Sequence, residues 1–343
     1  MKQLLLALAL FITTSCAAQT QETEEPTSPQ DPPAPVVYEG LEFPELPYPS
    51  NYVEVSPEGY PAAEMHYLDT GNAEGGTMLL LHGQPAWSYL WRGVIPGLEP
   101  HARVIAPDLI GMGMSGKPDI DYTFVDHAAY VERFIDTLGL EDVTLVIHDW
   151  GSALGFDYAY RHQDNVKGIA FMEALIAPIP SLDAVGGSEP ALAFAERLRA
   201  FRDPVLGPEL LINQNVFVEE VLPELTAITL SEEVMDAYRA PYPTPETRTP
   251  VYQWPNQIPI AGEPAATHER VAAYAPWLFE TDLPKLQLWA SPGLIGTADL
   301  VEMVDMGMKN ISTVYLGEGI HFLQESHPEA IGEAVATWYR TLD

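Results

Sequence analysis

Residues Val146 to Gly155 read VIHDWGSALG. The run from Val143 to Ile147 is apolar, as in a strand buried on both faces, and it stops abruptly at His148-Asp149. Small residues, Gly151-Ser152-Ala153 and Gly155, then open a segment that reads as a helix. A sharp strand-to-helix turn exposes the side chain at its apex, and the usual nucleophile there is a serine in the pattern G-x-S-x-G. Here the apex is Asp149, followed by Trp150. A serine must lose its proton to attack, which suits acyl transfer. A carboxylate is already ionised and suits displacement at a saturated carbon, giving an alkyl ester on the enzyme. Hydrolysis of that ester calls for a histidine to activate water, an acid to orient the histidine, and donors for the leaving group.

Further strands are expected at Met65–Leu68, Thr77–Leu81, Arg103–Ala106, Gly168–Met172, Leu286–Trp289 and Thr313–Leu316, with helical spacing over Ala128–Leu138. Strands alternating with helices predict an α/β fold with a mostly parallel, doubly wound sheet. Between Pro178 and Pro255 the strand rhythm stops. Ser188 to Phe201 reads as a helix with a serine cap and an early proline. Leu210–Leu222 and Ser231–Tyr238 read as helices too, and the proline-rich stretch Tyr242–Pro259 as a loop. This block, 178–255, is expected to cap the carboxyl edge of the sheet, where open α/β sheets bind ligands. The main domain is then 36–177 and 256–343.

The base is His321, in GEGIHFLQE after the last expected strand, which gives the chain order nucleophile, acid, base. His148 reads as a packed neighbour of the nucleophile. Two acids compete to orient the base. Glu173 directly follows the strand Gly168–Met172, whereas Asp299 stands several residues beyond Trp289 and reads as a helix N-terminal acid. Glu173 is the better placed.

Of 343 residues, 47% are hydrophobic and 19% charged, which suits one large domain with an inserted subdomain, or two domains. The formal net charge of −33 excludes binding nucleic acid or anionic lipid through charge. The acidic residues are dispersed, as on a solvated surface. Residues 1–18 read as a secretory signal: Met1-Lys2-Gln3, an apolar Leu4–Ile12, then small residues. Cys16 is the only cysteine, so no intramolecular disulfide forms. Its setting resembles the lipid-modified cysteine of bacterial lipoproteins, although Thr13 stands where such sites favour leucine. Cleavage after Ala17 or Ala18 is the alternative. Residues 19–35, QTQETEEPTSPQDPPAP, read as a disordered acidic tether. An exported, periplasmic protein is expected, membrane-anchored if Cys16 is lipidated.

The segments VIHDWGSALGF, VKGIAFMEALIAPIP, INQNVFVEEVLP, IPIAGEP and GIHFLQE resemble those of the haloalkane dehalogenases, especially the subfamily whose acid follows the sixth strand. The resemblance runs from about Pro47 to Leu342. It implies an α/β-hydrolase fold with a helical cap, no metal and no organic cofactor. It implies hydrolysis of a small halogenated substrate to an alcohol, a halide ion and a proton. It assigns Asp149 as nucleophile, His321 as base, Glu173 as acid and the Trp150 indole N–H as halide donor. It places Phe217, Val221, Leu225, Leu294, Ile295 and Phe322 on the pocket wall, and the backbone N–H groups of Gln84 and Trp150 in the oxyanion hole.

One position departs from the family. The subfamily carries asparagine as second halide donor where this chain has Gln84; another subfamily uses a cap tryptophan, and Pro178 to Gln253 contains none. Gln84 is therefore the remaining candidate. Three rival readings share the pattern. An epoxide hydrolase would need cap tyrosines, for which Tyr238, Tyr242 and Tyr252 are available. A cofactor-free luciferase-type oxygenase shares HDWG, the glutamate and the histidine. A catalytically dead binding protein is the third, and it is disfavoured because every catalytic position is filled. The natural substrate and the oligomeric state leave no mark in the sequence.

Overall fold

The computed structural model describes residues 43–71 and 75–342. The expected signal, Cys16 and the tether lie outside them. Eight strands form one sheet: β1 (Ser50–Val55), β2 (Ala63–Asp69), β3 (Thr77–Leu81), β4 (Arg103–Pro107), β5 (Val143–Asp149), β6 (Val166–Ala174), β7 (Lys285–Pro292) and β8 (Ile311–Gly319). Their order is β1-β2-β4-β3-β5-β6-β7-β8. β1 and β2 pair antiparallel, as do β2 and β4; every later pairing is parallel.

The apolar runs of the central strands follow from this architecture. Leu79 and Leu81 of β3 join a core that includes Phe134, Phe156 and Val271, from helices Phe124–Leu138, Trp150–Arg161 and Ala265–Glu280. Met78 and Leu80 face the other way, into a core with Ile331 and Val335 of helix Pro328–Tyr339. Successive strand residues point to opposite faces, so a strand covered on both sides must be apolar throughout. β1 escaped sequence reading because it is an edge strand: of SNYVEV only Val55 is fully buried.

Between β6 and β7 the chain is helical. Ser188 caps helix Glu189–Phe201 by accepting from the Ala191 N–H at 3.2 Å, and Ser231 caps Glu232–Arg239. Two expectations are corrected here. Leu210–Leu222 is not one α-helix but two wide π-type turns, Glu209–Asn213 and Phe217–Val221, separated near Asn215, whose φ is 56°. Asparagine tolerates that left-handed conformation, so the helical register breaks there. Tyr242–Pro259 is not a loop: it contains a 3-10 turn, Pro245–Arg248, and helix Thr249–Gln257. Pro245 and Pro250 sit in first turns, where a missing N–H costs nothing.

Candidate active site

β5 ends at Asp149, which caps helix Trp150–Arg161 with φ 50° and ψ −125°. A non-glycine residue there stores about 1–3 kcal/mol of strain. The elbow also needs bare backbone around it. A Cβ on Gly83 would overlap the Asp149 carboxylate, and one on Gly151 would overlap the Leu81 carbonyl. The Ser152 hydroxyl staples the turn, donating to the Asp149 carbonyl at 2.5 Å and accepting from the Leu175 N–H at 3.0 Å.

The two carboxylate oxygens of Asp149 have different surroundings. Oδ1 accepts from the Gln84 backbone N–H at 2.8 Å, and the Trp150 backbone N–H also bonds the carboxylate. Oδ2 lies 3.5 Å from His321 Nε2. His321 Nδ1 stands 3.0 Å from Glu173 Oε2. Glu173 ends β6 with φ 47° and accepts from the N–H groups of Leu294, Ile295 and Gly296 at 3.2, 2.7 and 3.0 Å. Its carboxylate therefore cannot swing away from the imidazole. The rival Asp299 lies in the first turn of helix Ala298–Gly307.

Burial pushes the His321 imidazole down, but its hydrogen bonds to Asp149 and Glu173 and their charges outweigh burial and raise it from 6.5 to about 9. Burial pushes Asp149 up; the bond to His321, that group's charge and the Trp150 N–H hold it below its ordinary 3.8. The resting site is thus an imidazolium between two carboxylates. His148 packs 4.7 Å from the His321 ring and donates from Nε2 to the His321 carbonyl at 3.0 Å. Burial, then the nearby His321, push it down to about 3, so it is a neutral neighbour.

A cavity of about 370 Å³ is lined by Asp149, His321 and mainly apolar groups, among them Ile176, Phe194 and Leu198. The model of the alpha/beta hydrolase fold matches residues 76–260. The chain is 44% identical over 274 residues to a haloalkane dehalogenase of Mesorhizobium japonicum, covering 80% of this chain and 87% of that one. It is 43% identical over 288 residues to one of Sphingobium indicum, covering 81% and 92%. The crystal structure of a haloalkane dehalogenase from Bradyrhizobium elkani superposes with a TM-score of 0.80 at 40% identity, covering 85% of this chain and 98% of that one.

The chain belongs to the haloalkane dehalogenases.

Of the six wall positions expected of a haloalkane dehalogenase, Phe217, Leu225, Leu294 and Ile295 line the cavity. Two are corrected. Val221 faces a neighbouring cavity of about 350 Å³, because Phe194 and Leu225 border both spaces and stand between them. Phe322 packs edge-on to the His321 ring at 4.8 Å, so it buttresses the base and does not form part of the wall.

Trp150 lines the cavity. The indole stacks on Trp254 at 4.5 Å, and Trp254 stacks on His127 at 4.1 Å. Trp254 lies one residue beyond the stretch Pro178 to Gln253 that lacks tryptophan. As a halide donor Trp254 is already spent, since its N–H points to the Met112 sulfur at 3.2 Å. Gln84 also lines the cavity, and its side-chain Nε2 donates to the Val251 carbonyl at 2.6 Å. The tyrosines an epoxide hydrolase would need lie elsewhere: Tyr238 bonds Glu325, Tyr242 donates to the Pro85 carbonyl at 3.0 Å, and Tyr252 is not among the residues that line the cavity.

Proposed function

We propose that this chain hydrolyses carbon–halogen bonds of small halogenated substrates through an ester on Asp149, with His321 as base and Glu173 as its orienting acid. The observation that supports this most directly is the setting of Asp149, which lines the cavity with one oxygen bound by the Gln84 N–H and the other 3.5 Å from His321 Nε2.

In the first step Oδ2 attacks the carbon that bears the halogen. The C–O bond forms as the C–X bond breaks, and the electron pair leaves with the halide. The Trp150 indole N–H and the Gln84 amide receive that charge. Hydrogen bonds to a charged group contribute roughly 1.5–3 kcal/mol each. The ester is neutral, so His321 loses one of the two charges that hold its proton. Once it has released that proton to solvent, with Nδ1–H still on Glu173, it takes a proton from water at Nε2. The resulting hydroxide attacks the ester carbonyl. The oxyanion forms on Oδ1, already held by the Gln84 N–H, with the Trp150 N–H bonded to the same carboxylate. Collapse of that intermediate expels the alkoxide, which takes the proton of the newly added hydroxyl, so the alcohol leaves and the carboxylate is regenerated. The balance is one alkyl halide and one water giving one alcohol, one halide and one proton.

His321→Phe tests this. The variant should accumulate the ester, because water loses its base, and the peptide containing Asp149 should gain the alkyl mass. An unmodified peptide with halide still released would overturn the mechanism.

We also propose export to the periplasm, supported by the apolar Leu4–Ile12 and the acidic segment after it. Lipid on Cys16 would anchor the chain. Cell fractionation of wild type and Cys16→Ala separates the outcomes: release of the variant alone marks a lipid anchor, and export of both in soluble form marks cleavage after Ala17 or Ala18. Full-length protein in the cytosol for both would contradict export.

A further inference from the structure

This inference rests on the reading of Gln84 as a halide donor. The two ends of a glutamine amide are alike in shape and opposite in chemistry. The NH₂ end attracts a departing halide and the carbonyl end repels it, so the site works only if something fixes which end is which. Gln84 Nε2 lies 2.6 Å from the Val251 carbonyl oxygen. An oxygen there would face an oxygen, so the contact holds only with nitrogen in that place. Nitrogen carries a second hydrogen, which this contact leaves unused.

A carbonyl in the middle of a helix is ordinarily occupied. In helix Thr249–Gln257 the Val251 oxygen should accept from the N–H of residue 255. Residue 255 is proline and has no N–H. Val251 is fully buried, so an empty carbonyl there would be costly; the Gln84 amide fills the vacancy. Pro255 lines the cavity beside Gln84, and its own carbonyl accepts from Arg202 Nη1 at 2.9 Å, which secures the end of the helix. The same helix carries Trp254, stacked on Trp150. One short helix therefore supports both donors, one through a ring face and one through a freed carbonyl.

We propose that Pro255 is a positioning residue for halide release: by withholding a backbone hydrogen it frees the Val251 carbonyl to fix the Gln84 amide nitrogen, whose remaining N–H serves the halide. The contact also offsets the greater rotamer freedom of glutamine over asparagine, which explains how the longer side chain is tolerated at this position.

The test is bromide affinity, read from quenching of tryptophan fluorescence, for wild type, Gln84→Ala, Pro255→Ala and the double variant. Gln84→Ala should weaken bromide binding roughly 10-fold or more, the loss of a hydrogen bond to a charged group. Pro255→Ala returns a competing N–H to the Val251 carbonyl and should weaken binding roughly 2- to 10-fold, as loss of a neutral hydrogen bond does. In the Gln84→Ala background Pro255→Ala should add nothing. Equal weakening in both backgrounds would show that Pro255 acts by shape alone and overturn the proposal. So would unchanged affinity when Gln84 is present. If Gln84→Ala itself binds bromide like wild type, the donor role of Gln84 fails, and the role of Pro255 falls with it. Pro255→Val, which restores the N–H and keeps apolar bulk, runs the same cycle if the alanine variant does not fold.

Discussion

In the proposed mechanism the charge on His321 changes during turnover. With Asp149 and Glu173 both ionised its pKa stands at about 9, so the resting base holds its proton near neutrality. Alkylation removes the Asp149 bond and charge and leaves Glu173 alone to hold the proton, so the value falls and the base becomes competent only once there is an ester to hydrolyse. Alkylation needs only ionised Asp149, which is held below 3.8. Rapid-mix experiments should therefore show a halide burst that is flat from about pH 5 to 9. The alcohol-forming step should rise with pH and level off below about 9. Alcohol formation that is flat or falling over that range would contradict this. The same shifts act on stability with opposite signs. The raised His321 value contributes stability in full below 6.5 that is lost as pH rises through about 9. The lowered Asp149 value contributes stability above 3.8 that is lost as pH falls through its folded value. Asp149, Glu173 and His321 were legible in the sequence because each follows a recognisable strand, and a strand end fixes where a side chain emerges. The wall positions were less legible: Val221 lines a neighbouring cavity and Phe322 packs on the His321 ring, placements that spacing alone does not determine.

At the scale of elements, the elbow is set by packing of backbone on backbone. A Cβ on Gly151 would overlap the carbonyl oxygens of Leu81 and His82, and neither can retreat without disturbing the β3 end that supplies the Gln84 N–H. Gly151→Ala should cost roughly 1–3 kcal/mol, as overpacking does, and lower dehalogenation with it. Urea unfolding checks this; a midpoint equal to wild type would mean that the elbow yields more easily than this geometry allows. The central strands could be read because burial on both faces makes them apolar without interruption. The helix Thr249–Gln257 could not, because three prolines between Pro245 and Pro255 resemble a loop when their positions within turns are unknown. In the proposed reading Pro255 inside the helix is matched by Gln84, whose amide bonds the Val251 carbonyl 167 residues away in sequence.

At the scale of the molecule, the helical block is tied to the base as well as to the sheet. The His321 and Phe322 N–H groups bond the Leu225 carbonyl at 3.1 and 3.3 Å. Arg92 grips Glu325 through two bonds of 2.6 and 2.7 Å, and Tyr238 bonds the same carboxylate. The Trp87 indole donates to the Ala237 carbonyl at 3.1 Å. The existence of a capping block was readable from the loss of strand rhythm. These ties were not, because they join residues with no shared periodicity. They hold an apolar cavity over a charged carboxylate, where little water competes with the substrate for Asp149 Oδ2. The central claim is that the product oxygen comes first from Asp149, and only afterwards from water. A single turnover in ¹⁸O-water, with enzyme in excess over a bromoalkane, tests it directly. The account predicts alcohol without heavy oxygen and an Asp149 peptide that has gained one ¹⁸O; labelled alcohol with an unlabelled peptide would mean that water attacks the carbon itself and would contradict it.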